Sequence, residues 1–206
     1  MEKKDQLIIA ISREFGSGGH EIAERMAKDF DLPLYDYNLM REIAKDKNLT
    51  NSHELEKYDE LPRSPINVSI RGFSTSTTQN FAIMQFNYLK EKAENGDSFV
   101  IVGRCAETVL KGFDCMIPIF ILADEDAKVK RIMRIYDMDK KEAISTIKSQ
   151  NRKRKAYHNY YSTAKWGDSR LYEISINSSE LGIDGTVKFL EDYIKQRREN
   201  GKSMGI

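Results

Sequence analysis

The chain has 206 residues, 40% of them hydrophobic, with 33 Lys and Arg against 32 Asp and Glu. That length suits one core with a small mobile insertion and is short for two full domains, so a single domain over residues 1–206 is expected. The cancelling charges exclude a disordered polyelectrolyte and a long-range field towards nucleic acid, and no apolar run approaches the roughly 18 residues of a membrane span.

In chain order, residues 6–12 (QLIIAIS) are short, apolar and rich in β-branched side chains, and read as a strand. Gly16, Ser17, Gly18 and Gly19 follow, before an amphipathic stretch from His20 to Phe30, giving strand, glycine loop and helix. Leu32–Asp36 is a second extended piece and Asn38–Lys47 a second helix. Residues 48–78 are polar, carry Pro62 and Pro65 and end in the Ser/Thr run Ser74–Thr78, so they are expected to form a mobile flap with some helix near Ser52–Leu61.

A helix over Gln79–Glu94 is closed by Asn95-Gly96, and Ser98–Val102 is a strand. A short helix around Ala106–Lys111 precedes a buried strand at Met116–Leu122. Helices are expected over Asp124–Tyr136 and Asp139–Tyr157, the second with Asp139 as its cap and Glu142 three residues on. Leu171–Ile176 is the last strand, Gly185–Arg198 the last helix, and Glu199–Ile206 is expected to fray. Five strands alternating with helices predict a doubly wound α/β sheet with its ligand site at the carboxyl ends of the strands.

Chemistry concentrates in three places. In the loop Ser12–Ile22, small residues between strand and helix let backbone N–H groups converge on an anion, with Ser17–Gly19 as the cradle; the alternative is an ordinary glycine turn. The G-x-x-x-x-G-K-[ST] pattern of phosphate loops is not met, since Gly19 falls at the lysine place and His20 and Glu21 follow it. Another cation has to compensate, and Arg13 inside the loop is the nearest; otherwise it is a solvated loop charge.

The second place is Val100–Arg104, a buried strand ending in Gly-Arg, which brings the Arg104 guanidinium to the carboxyl end of the sheet, to bind phosphate or to pair with a carboxylate such as Glu107. The third is Lys148–Tyr161, where Lys148, Arg152, Lys153, Arg154 and Lys155 precede three tyrosines. It reads as a phosphate-closing lid over roughly 139–168, a solvated face, or a nucleic-acid surface, the last disfavoured by the near-zero net charge. Trp166-Gly167-Asp168 reads as a packed turn after that helix.

Cys105 and Cys115, the only cysteines, have no metal-ligand spacing and are expected to be free thiols. His20-Glu21 begins like a zinc helix, but Glu24 stands where the second histidine would be, so no protein-held metal is expected. Met1–Asp5 lead into the first strand without a signal-peptide pattern, and a cytoplasmic protein is expected.

The order and spacing of IAISREFGSGG, LPLYD, VIVGR, the Arg-rich helix, YYSTAKWGD and the final NSSELGIDG resemble cytidylate kinases along almost the whole chain. The resemblance implies the fold of P-loop nucleoside monophosphate kinases: a five-stranded parallel sheet with flanking helices, a monophosphate-binding flap and a lid. It further implies ATP with Mg²⁺ as donor and a CMP-like monophosphate as acceptor. Catalytic roles fall on Arg104 and Arg154, with Arg13 standing in for the loop lysine. Asp36, Arg104 and Lys153 fall on the acceptor, and Gly16 to Gly19, His20 and Glu21 on the donor. Asp36 either positions the acceptor or caps the following helix, and Glu21 either approaches Mg²⁺ or is a first-turn carboxylate favoured by the helix dipole. Cys105 stands where cytidylate kinases carry Asp, and Asn151 where they carry a lid Asp. A nucleotide-binding regulator that has lost phosphoryl transfer is the alternative that the missing lysine suggests.

Overall fold

The computed structural model describes residues 6–46 and 75–204. Strand β1 (Ile8–Arg13) lies at the centre, paired in parallel with β3 (Phe99–Val102) on one side and β4 (Met116–Leu122) on the other. Outside them, β2 (Leu34–Tyr35) pairs with β3 and β5 (Ile174–Asn177) with β4, so the order is β2-β3-β1-β4-β5, all parallel. A strand covered on both faces has no use for alternating polarity, and Ile8 to Ile11 are all buried.

Two cores result from that alternation of direction. Ile9 and Ile11 face Ile22 and Met26 of α1 (Gly19–Asp29) together with Leu190 and Ile194 of the C-terminal helix. Ile8 and Ala10 face the other way, towards Leu39, Met40 and Ile43 of α2 (Leu39–Asp46), Tyr88 and Leu89 of α3 (Thr75–Glu94) and Ala106 of α4 (Ala106–Val109). A third, smaller cluster joins α5 (Glu125–Tyr136) to α6 (Lys140–Tyr161) through Val129, Ile132, Ala143 and Ile147, with Phe15 of the loop packed on it. Helix α6 starts on a complete capping box, in which Asp139 accepts from the Glu142 N–H and Glu142 accepts from the Asp139 N–H.

Several expected boundaries move. The flap of 48–78 and its helix near Ser52–Leu61 lie outside the described residues as far as 74, and Thr75 to Thr78 belong to the start of α3. The last strand begins at Ile174, because Asp168 caps a 3-10 turn over Ser169–Leu171 by accepting from the Arg170 N–H. The C-terminal helix α7 covers Ser178–Met204, broken at Gly182, so it starts earlier than expected and extends into the segment expected to fray. No helix among the described residues is long and apolar enough to cross a membrane. Strand β1 sits between β3 and β4, and the chain therefore leaves its carboxyl end in one direction and returns in the other, opening a crevice there.

Candidate phosphate-binding site

The loop from β1 to α1 is held from several sides. The Glu14 N–H donates to the Ile121 carbonyl at 3.0 Å, the Ser17 hydroxyl to the Glu14 carbonyl at 2.9 Å, and the Ser178 hydroxyl to the Ser17 carbonyl at 2.6 Å. The Phe15 N–H donates to Asn151 Oδ1 of α6 at 2.7 Å. Gly18 caps α1 with φ 79°, a conformation that disfavours any side chain, and a Cβ there would run into Ile183 and lie 3.3 Å from Cζ of Arg131. Under the loop, Lys128 of α5 is buried with its Nζ 2.7 Å from Glu14 and 2.6 Å from Glu125. Burial alone would push that ammonium down, but the two carboxylates outweigh it and raise it above its ordinary value. Lys128 is thus a strut engaged by two carboxylates, and it does not line the cavity above the loop.

Arg13 packs against two glycines. A Cβ on Gly19 would lie 2.5 Å from Cβ of Arg13, and one on Gly103 would lie 2.5 Å from its Nη1. The side chain therefore threads a slot between two glycines at the ends of β1 and β3, and any side chain at 19 would force Arg13 to shift. Beyond the slot, Gly103, Arg104 and Cys105 take φ values of 77°, 58° and 52° in succession. Two non-glycine residues in the left-handed region store strain of roughly 1–3 kcal/mol each, and this turn aims Arg104 at the cavity as the chain bends into α4.

The cavity above the loop has a volume of about 780 Å³. Of the residues expected at the site, Arg13, Gly16, Gly18, Gly19, His20, Glu21, Asp36, Arg104, Lys153 and Arg154 all border it. Ser17 does not; its hydroxyl turns back into the loop. Arg154 donates to the Arg13 carbonyl at 3.1 Å and lies 5.4 Å over the Phe15 ring. Along α6, Asn151, Arg154, Tyr157 and His158 face inward while Arg152 and Lys155 are exposed, so one helix carries both a cavity face and a solvated face.

The acidic residues bordering the cavity are engaged. Asp36 accepts from the Asn38 N–H at 2.8 Å, which makes it the cap of the turn into α2, and its other oxygen lies 3.5 Å from His20 Nε2. His20 also faces Glu24 at 3.4 Å. Glu21 gives one oxygen to Arg25 and the other to Arg131. Glu107, offered by the sequence as a partner of Arg104, instead accepts from Ser12 and bonds His158. Cys105, beside Arg104, is a free buried thiol whose ionisation is pushed up by burial and then by the Glu107 charge.

Arg131 is the cation that the sequence reading missed. It comes from the helix following β4, its guanidinium lies against Gly18, and it borders the cavity. Its basic run KVKRIMR starts just past the carboxyl end of a central strand, which is the only local signal it leaves. The guanidinium groups of Arg13, Arg104, Arg131 and Arg154 around one cavity suit a ligand with several negative charges. Among the described residues no three His, Cys, Asp or Glu side chains gather into a metal-ion cluster.

Comparison with known proteins points the same way. The model of the cytidylate kinase-like family matches residues 8–180. The cytidylate kinase of Pyrococcus horikoshii is 28% identical over 196 residues, covering 93% of this chain and 90% of its own. That of Thermococcus kodakarensis is 26% identical over 203 residues, covering 96% and 93%. Among solved structures, an uncharacterized protein from Eubacterium ventriosum is 40% identical with a TM-score of 0.74, over 92% of this chain and 99% of that one. A shikimate kinase from Bacteroides thetaiotaomicron shares the fold at 15% identity and a TM-score of 0.53, over 92% and 98% of the two chains.

Proposed function

This chain belongs to the cytidylate kinase-like family, and from that premise we propose that it transfers the γ-phosphoryl group of ATP to a nucleoside monophosphate of the CMP type in the cytoplasm. The observation that carries the proposal is the convergence of Arg13, Arg104, Arg131, Lys153 and Arg154 on one cavity at the glycine loop. Phosphoryl transfer asks little covalent chemistry of the protein; it asks for positioning and for neutralisation of charge. In this reading the backbone of Gly16, Gly18 and Gly19, with Arg13, holds the donor phosphates, Arg131 and Arg154 cover them, and Arg104 with Lys153 holds the acceptor phosphate. Bound ATP and Mg²⁺ supply the transferable group and neutralise its oxygens. Asp36 keeps its structural bond to the Asn38 N–H and orients the acceptor through the turn it caps.

A second reading is favoured by the glycine slot. Because Gly19 stands at the place of the loop lysine and packs against Arg13, the protein could bind nucleotide without transferring phosphate, as a regulator. Incubation with γ-labelled ATP and Mg²⁺ against a panel of nucleoside monophosphates separates the two. Label appearing in a pyrimidine nucleoside diphosphate supports the kinase; ATP binding with no labelled diphosphate from any acceptor supports the regulator.

A further inference from the structure

One cluster of buried polar groups is not accounted for by phosphate binding. Ser12 at the end of β1, Glu107 in α4 and His158 in α6 are 5%, 5% and 3% exposed. His158 Nε2 lies 2.7 Å from Glu107 Oε1, and the Ser12 hydroxyl donates to Glu107 Oε2 at 3.2 Å. The other ring nitrogen of His158 lies 3.4 Å from Asn159 Oδ1, an oxygen that also accepts from the Trp166 N–H at 2.9 Å. Both ring nitrogens and both carboxylate oxygens are thereby engaged, which is what a buried polar group needs in order to hold a fixed geometry.

Inward polar residues of α6 hydrogen-bond it to other elements. Asn151 accepts from the Phe15 N–H, Arg154 donates to the Arg13 carbonyl, and His158 bonds Glu107. The first two contacts are with the glycine loop, whose groups face the cavity. Both therefore tie the helix to the segment that an anion would contact, whereas an anchor independent of that segment has to lie elsewhere. The His158 contact is with Glu107 of α4 on the sheet side and is made to no group of the glycine loop, although Ser12 and His158 themselves border the cavity. A hydrogen bond between the Thr108 and Ser162 hydroxyls, 3.1 Å, clips the end of the same helix to α4.

We propose that the Ser12–Glu107–His158 cluster is the anchor that fixes α6 on the sheet and so positions Arg154, one turn before His158, over the glycine loop. His158 and Glu107 are then positioning residues that act through Arg154. A buried bonded pair used to set register is the best-attested role for such groups. The consequence for nucleotide binding rests on the phosphate-binding reading of the cavity, whereas the anchoring itself is measurable without nucleotide.

The test is hydrogen exchange on the full chain, wild type against His158→Leu and His158→Gln, with ATP affinity measured by calorimetry on the same samples. In His158→Leu, amides of residues 150–161 should exchange at least about tenfold faster relative to those of β1 and β3, the scale expected for one lost bond to a charged group. His158→Gln, which keeps a donor for Glu107, should recover most of that protection. ATP affinity should fall about tenfold in His158→Leu and recover in His158→Gln, in step with the exchange. Exchange that rises equally in every element, or that leaves 150–161 unchanged, overturns the anchor, as does unchanged ATP affinity in a His158→Leu protein whose helix has loosened. A wild type that binds no ATP while His158→Leu loosens 150–161 alone supports the anchor and removes the phosphate-binding reading instead. Should His158→Leu fail to fold, Ser12→Ala carries the test: it must loosen the same segment by a smaller factor, and an equal loosening of β1 and β3 counts against the anchor.

Discussion

The two walls of the cavity bear the same kind of charge by opposite means. On the loop wall, Arg13, Gly16, Gly18 and Gly19 are neighbours in sequence, and the site follows from local backbone conformation and from the slot that two glycines leave for one arginine. On the helix wall, Arg131, Lys153 and Arg154 come from two helices and border the cavity where α5 and α6 pack together on Phe15 through a small apolar cluster. The difference teaches that the loop wall has little room for added volume, whereas the helix wall is assembled from side chains of separate elements.

The largest effect is expected where volume is added to the loop wall. Gly18→Asp combines left-handed strain of about 1–3 kcal/mol, contact with Ile183 and Arg131, and a negative charge inside the cradle. ATP binding by calorimetry should be lost, and a bound variant of unchanged affinity would show that the loop is an ordinary turn. Gly19→Lys comes next. Restoring the usual lysine should weaken ATP binding rather than strengthen it, because its Cβ meets that of Arg13. Tighter binding or faster transfer in Gly19→Lys would mean that the slot yields and that Arg13 is dispensable.

On the helix wall the effects should be smaller. Arg131→Ala removes one guanidinium beside Gly18 and should weaken ATP by about tenfold to a hundredfold, corresponding to roughly 1.5–3 kcal/mol for a charge-assisted bond. An equal loss in Glu21→Gln would indicate that their ion pair, not the phosphate contact, is what matters. The smallest effect concerns the turn between the walls. Burial raises the Cys105 thiol, so at pH 8 it holds less thiolate than an ordinary cysteine, and alkylation should be slower there than at half-buried Cys115. Raising the pH should narrow the gap, and unfolding in denaturant should abolish it; equal rates in the folded protein would contradict the rigid turn.

The same contrast explains what the sequence made legible. The parallel sheet, the glycine loop and Arg104 at the end of β3 depend on nearby residues, and apolar runs and glycines mark them. Asp36 as the cap of the turn into α2 is local in the same sense. Arg131 was missed because its contact with Glu21 spans 110 positions, and nothing around it distinguishes it from the neighbouring Lys130 or Arg134. The pairing of Glu107 with His158 rather than Arg104 was equally hidden, since it depends on how α6 rotates over the sheet. The start of α7 at Ser178 was obscured by Gly182, which breaks the helix without ending it.

The central claim is that Arg13, threaded between Gly19 and Gly103, supplies the charge that a loop lysine supplies in other phosphate loops. Steady-state kinetics of Arg13→Ala, with the best acceptor from the monophosphate panel, tests it most directly. The account predicts that kcat falls by roughly 10²–10³, the usual loss for one preorganised transition-state donor, while thermal unfolding shows the fold intact. A wild type that transfers phosphate, with an Arg13→Ala variant that transfers it at the same rate, would contradict the account.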